Sequence, residues 1–185
     1  IIVYDKTQGP QNTHAYLSSV FGLSKDKLTV RNPFVGGAFG SGLRPQYQVY
    51  LATMGALHLK RPVRVTMTRQ QMVSHVHRPE LFQSVSLGAN EVGALQAVIN
   101  SATTATSSYE DYMENIVNWG LMAYRCPNAA GDYTLVALDT PTPGDMRAPG
   151  AASGMNVFEC VIDELAYEAK VDPLVFRRLN YTDVD

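Results

Sequence analysis

Leu81-Phe82-Gln83-Ser84-Val85-Ser86-Leu87-Gly88 and Leu95-Gln96-Ala97-Val98-Ile99-Asn100-Ser101-Ala102-Thr103-Thr104-Ala105-Thr106 are the two runs that decide the fold class. Both read as strands, and Asn90-Glu91-Val92-Gly93 between them supplies the turn. A hairpin set among helices points to an α+β protein, a mixture of strands and helices, rather than a doubly wound sheet.

Working outward, the N-terminal side alternates short strands with helices. Residues 1–5 read as a strand and Thr13–Phe21 as a helix that stops at Gly22. Leu28–Arg31 reads as a strand and Gln46–Lys60 as an apolar helix stopped by Arg61-Pro62. Val63-Arg64-Val65-Thr66-Met67 alternates like a half-buried strand, and residues 68–79 read as a short link. On the C-terminal side, residues 107–130 give no assignable pattern, and Tyr133–Leu138 reads as a strand. Residues 139–150 hold too much proline for regular structure. Met155–Ala169 is an amphipathic helix with Val157, Cys160, Val161, Leu165 and Ala166 on one face. Asp172-Pro173 opens a last helix, Asp as N-cap and Pro at the first position.

At 185 residues the chain can bury a core and makes one domain or two small ones. A hydrophobic content of 45% with 17% charged residues is that of a globular protein, so disorder is excluded. A net charge of −2 gives no electrostatic case for a nucleic acid or an anionic membrane. Cys126 and Cys160 are far apart, without metal-type spacing, and read as free, partly buried thiols. The chain has no initiator Met and opens directly on an apolar strand, so it reads as a segment of a longer polypeptide, from which no targeting sequence can be read.

Asn32-Pro33-Phe34-Val35-Gly36-Gly37-Ala38-Phe39-Gly40-Ser41-Gly42 joins a strand to a helix. Its glycines permit positive φ and close backbone approach, and a loop at a helix N-terminus can seat an anionic group. A P-loop is excluded because no lysine follows the glycines, and a dinucleotide fingerprint because the G-x-G-x-x-G spacing is missing. His75-x-His77 lacks a partner carboxylate or cysteine at recognisable spacing and reads as a solvated loop pair rather than a metal site. His14 and His58 read as surface or packing residues of their helices. Ser, His and Asp occur in no hydrolase motif such as G-x-S-x-G.

Three motifs, in this order and spacing, carry a resemblance: Thr7-Gln8, Gly36-Gly37-Ala38-Phe39-Gly40 and Met146-Arg147-Ala148-Pro149-Gly150. Supporting stretches are Lys60–Arg64, Tyr124-Arg125-Cys126-Pro127-Asn128 and Asp172-Pro173 through Asn180. Together they resemble the molybdenum-binding subunit of the xanthine dehydrogenase/aldehyde oxidoreductase family, over essentially the whole chain, with the Met146–Gly150 wording closest to bacterial aldehyde oxidoreductases. The resemblance implies that residues 1–185 form the N-terminal portion of a molybdopterin-binding domain. It implies a molybdenum cofactor, as molybdopterin or its cytosine dinucleotide, that oxidises an aldehyde or N-heterocycle with oxygen from water. Gln8 would hydrogen-bond the metal's oxo group. Gly37, Ala38, Phe39 and Gly40 would line the cofactor, with Phe39 as a wall. Met146, Arg147 and Ala148 would close the other side through their backbone, and the Arg147 charge would stabilise a developing anion. Iron–sulfur and FAD subunits or domains are the implied partners.

Departures from the family pattern bear on activity and substrate. The family's catalytic base is a glutamate in a Gly-Glu motif that no stretch here matches. Glu159 and Glu164 read as solvated helix face, so this segment alone is expected to be inactive. The loop ends Gly40-Ser41-Gly42 where Gly-Gly-Lys is usual. Leu43 stands where purine-oxidising relatives carry a Glu, and Asn115 roughly where they carry an Arg. Without those handles a purine's polar atoms would go unpaired, so an aldehyde is the expected substrate. The alternative is a binding or scaffold domain that keeps the fold without the metal.

Overall fold

The computed structural model describes residues 1–182, and the chain end Asp183-Val184-Asp185 lies outside the described residues. The elements form a mixed α+β arrangement divided between two compact units. One holds residues 1–78 with 141–147, the other residues 79–140 with the rest of the C-terminal part from Ala148.

In the first unit, β1 (Ile2–Tyr4) and β2 (Thr29–Arg31) pair in parallel, with Val3 opposite Val30. Parallel neighbours cannot be joined by a tight turn, and α1 (Pro10–Phe21) makes the crossover. Proline at the first position starts α1 three residues earlier than its apolar pattern implied, because proline lacks only an N–H that would be unpaired there. Gly22 ends it at φ 61°, with its N–H on the Ser18 carbonyl. Val3, Leu17, Leu28 and Val49 form the core, Val49 coming from α2 (Tyr47–Leu59). His14 packs as expected of a helix residue, its Nε2 3.1 Å from the carbonyls of Lys25 and Leu28.

Two expectations for this unit are corrected. Val63–Met67 keeps its alternation, with Val63, Val65 and Met67 half-buried and Arg64 and Thr66 exposed, but it is not a strand. No backbone partner lies beside it among the described residues, and periodicity reports burial rather than pairing. Residues 68–79 are not only a link, since they contain α3 (Arg69–His75). Its signal was present in the sequence: Thr68 and Gln71 form a capping box, the Thr68 hydroxyl accepting from Gln71 N and the Gln71 amide oxygen from Thr68 N. His75 closes that helix with its ring 4.2 Å from the Tyr47 ring, and no group of metal-ligating side chains occurs among the described residues.

In the second unit, β3 (Leu81–Ala89) and β4 (Leu95–Ser107) form the expected antiparallel hairpin, and β5 (Ala129–Leu138) pairs with β4 in parallel. Asn90 turns the chain by accepting the N–H groups of Val92 and Ala94 on its side-chain oxygen. The unassigned stretch 107–130 contains α4 (Val117–Ala123) and the start of β5. Two glycines explain why no pattern was visible. Gly120 of α4 lies against Phe158, and Gly131 of β5 against Val117 and Leu121, close approaches that replace an apolar face.

The buried face of α5 (Ala151–Glu168) is Gly154, Phe158, Ile162 and Ala166; of the expected face Ala166 is buried and Leu165 packs half-buried on the core, but Phe158 and Ile162 take the places expected for Val157, Cys160 and Val161. Phe158 is the bulkiest apolar choice, and burying it sets the helix rotation. Cys160 is consequently exposed, not partly buried, while Cys126 is half-buried, and both thiols are free. Glu159 is not solvated face either. It accepts the Tyr124 hydroxyl at 2.7 Å and pairs with Arg177 of α6 (Pro173–Asn180), which also reaches Asp163. Burial and the Glu159 bond push the Tyr124 phenol above its ordinary value. Burial works to lower the Arg177 pKa, but the bonds to Asp163 and Glu159 outweigh it and raise it. The α6 cap is as expected: Asp172 accepts from Leu174 N and Val175 N. Asp172→Ala should cost about 1 kcal/mol in a denaturation experiment, and an unchanged midpoint would refute the cap's role.

Candidate cofactor cradle in the first unit

The Thr7-Gln8 pair and the Gly-rich loop, 24 or more residues apart in sequence, are tied together by polar contacts from both residues. Thr7 is buried, and its hydroxyl donates to the Gly42 carbonyl at 3.2 Å while accepting from Gly9 N and the Thr13 hydroxyl. Gln8 N donates to the same carbonyl at 2.8 Å. The Gln8 side-chain oxygen accepts from Gly40 N at 3.0 Å and Gly42 N at 3.2 Å. Two N–H donors converging on one atom fix the amide's orientation, because its nitrogen could not face them. The Gln8 NH2 group is thereby turned away from the loop, on an exposed side chain, with two donors to offer.

The loop backbone is held in conformations most residues avoid. Gly36, Gly37 and Gly40 have φ of 70°, 91° and 94°, and Phe39 has φ 51°. A bulky aromatic with positive φ is a genuine outlier, and such strain persists only where the surroundings enforce it. Phe39 is also 67% exposed, so it is not held there by its own burial. The enforcement comes from its neighbours: Gly40 N bound by Gln8, and Ser41 N and the Ser41 hydroxyl both on the Ala38 carbonyl. No bond within the described residues takes the N–H groups of Gly37, Ala38 or Phe39.

Residues 141–147 lie against this loop as a strap. A Cβ on Gly40 would sit 2.8 Å from the Asp145 carbonyl oxygen and 3.2 Å from the Met146 carbonyl carbon. Arg44 pairs with Asp145 at 3.1 Å, Arg78 Nη2 donates to the Arg147 carbonyl at 2.8 Å, and Gly144 N donates to the His77 carbonyl. The structure therefore brings Gln8, Gly37, Ala38, Phe39, Gly40 and Met146 into one neighbourhood, with Arg147 at the end of the strap and its side chain exposed. Ala148 belongs to the second unit, where it has φ 54° and its carbonyl accepts from Ala152 N. Thr7 and Gly42, quoted in the motifs but given no role, prove to be supporting residues, and Arg44, Arg78 and Asp145 are supporting residues that sequence reasoning left out. Their contacts span up to 101 positions, and no local pattern encodes them.

Comparisons with known proteins bear on the family of the chain as a whole. The aldehyde oxidoreductase molybdenum-binding subunit PaoC of Escherichia coli K12 is 34% identical over 161 residues, covering 86% of this chain and 22% of its own length. A probable xanthine dehydrogenase subunit of Bacillus subtilis is 26% identical, over 96% of this chain and 24% of its own. Quinoline 2-oxidoreductase of Pseudomonas putida 86 shares the fold at a TM-score of 0.89 and 23% identity, covering 97% of this chain and 24% of that one. Aldehyde oxidoreductase of Desulfovibrio gigas does so at 0.85 and 24%, covering 98% and 20%. The chain thus spans about a fifth to a quarter of these relatives' lengths. The molybdopterin cofactor-binding domain family matches residues 1–181, and the chain belongs to that family.

Proposed function

We propose that this chain is part of the molybdenum-binding subunit of an oxidoreductase acting on an aldehyde, with Gln8 and the Gly37–Gly40 loop holding the cofactor. The observation that carries the reading is the Gln8 amide, whose oxygen is taken by Gly40 N and Gly42 N and whose NH2 is left to donate. A metal oxo group or a pterin carbonyl is an acceptor, so the donor set fits the molybdenum cofactor. The N–H groups of Gly37, Ala38 and Phe39, which no bond within the described residues takes, add three further donors of the same sense. When bound, the cofactor would supply a two-electron redox centre that draws oxygen from water. Phe39 would exclude water from one side, and the exposed guanidinium of Arg147 would offer charge to a developing anion. Gly40, its N–H given to Gln8, would contribute shape rather than a donor.

Leu43 is 42% exposed next to the loop and offers no polar atom, which supports an aldehyde over a purine. Iron–sulfur and FAD partners, and a catalytic base supplied from outside residues 1–185, belong to the same proposal. No helix among the described residues is long and apolar enough to cross a membrane.

Metal analysis of the full-length polypeptide, expressed in a host that makes the cofactor, tests the reading. About one molybdenum per chain is expected, and none would refute it. Two Gln8 variants divide the residue's roles. Gln8→Glu keeps an acceptor for Gly40 N and Gly42 N but removes the donor, so activity should fall about 10- to 100-fold with the loop intact. Gln8→Met removes both and should lose cofactor as well. Full aldehyde oxidation by Gln8→Met would refute the assignment.

A further inference from the structure

The first unit carries a groove of about 1270 Å³ that touches the Gly-rich loop at Gly37 and Ser41 but is lined by neither Gln8 nor Phe39. Residues 1–6, including β1, and the segment 62–67 both line it. Its floor is α2, through small side chains such as Ala52, Thr53 and Ala56. β1 is paired with β2 along one edge only, and residues 62–67 have no backbone partner among the described residues. Val63 nevertheless holds a fixed place, packed on Gly55 of α2. An extended run with alternating burial, anchored from below and unpaired alongside, has the form of a sheet strand lacking its neighbour.

The helix beneath gives a second, independent sign. α2 is apolar on all sides, yet only Val49 and Thr53 are buried, and Leu51, Met54 and Leu59 are each about half exposed. A helix of that composition belongs inside a structure. A two-stranded parallel sheet is likewise too small to stand alone, since parallel sheets are covered on both faces. Positive charge predominates at the groove: Lys6, Lys60, Arg61 and Arg64 line it against the single carboxylate of Asp5.

We propose that an extended strand from the part of the full-length subunit that this chain does not span docks in this groove, bonding to β1 on one side and residues 62–67 on the other. Its chemistry follows from the walls. Apolar side chains at alternate positions pack on Ala52 and Ala56, and carboxylates meet the lysines and arginines of the rim. The occupant completes the sheet and covers α2, so the groove is a joint within the subunit rather than a substrate site.

Hydrogen exchange of the full-length polypeptide, combined with zero-length carboxylate-to-amine cross-linking, tests this. Alternate amides of Val63–Met67, those that face the groove, should be protected about hundredfold or more over free peptide rates, and Lys6 or Lys60 should link to carboxylates of one segment outside residues 1–185. Successive residues of a strand turn their N–H groups to opposite edges, so one of Arg64→Pro and Val65→Pro should abolish that protection. Free-peptide exchange at 63–67, or no loss with either proline, would overturn the proposal. So would protection that disappears on dilution with cross-links only between copies, which would assign the groove to a second subunit.

Discussion

Gly40→Ala is expected to reduce molybdenum in the full-length protein to about a tenth or less of its normal content. Two costs combine at this position. At φ 94° an alanine lies outside even the left-handed well that residues with a Cβ visit at a cost of roughly 1–2 kcal/mol. Its Cβ would also meet the Asp145 carbonyl oxygen at 2.8 Å and the Asp145 carbonyl carbon at 3.1 Å, and these are backbone atoms that cannot rotate away. The strap must therefore lift or the loop must turn. Turning the loop removes Gly40 N from the Gln8 oxygen, freeing the amide whose orientation the reading depends on. A combined loss of about 3 kcal/mol corresponds to roughly a hundredfold in affinity. Gly22→Ala is the control: its φ is 61°, but nothing lies within 4 Å of the added Cβ. It should cost about 1 kcal/mol of helix capping and leave the molybdenum content unchanged. Full molybdenum in Gly40→Ala would show that the loop and strap do not form the cradle.

What the sequence made legible divides along local and non-local lines. The hairpin, the Asp172 cap and the Gly22 stop are written within four or five residues, and each stands in the structure where its residues put it. Val63–Met67 shows the opposite case. Its alternation is real, but pairing requires a neighbour that no local pattern can supply. α5 shows a third. Val157, Val161 and Phe158 all lie on apolar stripes of the helix, and size decided between them, because Phe158 fills a space opened by Gly120 38 positions earlier. At the candidate cradle, motif order alone singles out the residues. That Gln8 would turn its oxygen to the loop and its NH2 outward depends on Gly40 and Gly42, more than thirty positions away, and only the folded chain brings them together.

Phe158→Ala should destabilise the second unit by about 3–5 kcal/mol, and it should reverse the sign of a second substitution. The ring is fully buried among Tyr124, Ile162, Ala166 and Phe176, stacked 5.9 Å from Tyr124. Its removal loses transfer energy and leaves a cavity. Gly120 is the tightest neighbour: a Cβ there would come within 2.5 Å of the ring. In the natural sequence, Gly120→Ala therefore overpacks the α4–α5 contact and should cost about 1–3 kcal/mol. In the Phe158→Ala background the obstacle is gone. Alanine is then favoured over glycine inside α4 by up to about 1 kcal/mol of helix propensity, and its methyl occupies part of the cavity. The double variant should be more stable than Phe158→Ala alone, a coupling of about 2–4 kcal/mol between the sites. Chemical denaturation of the four proteins completes the cycle, with Trp119, the one tryptophan of residues 1–185, as a reporter beside Gly120. Additive losses would mean that α4 and α5 adjust independently, and that the ring does not fix the rotation of α5.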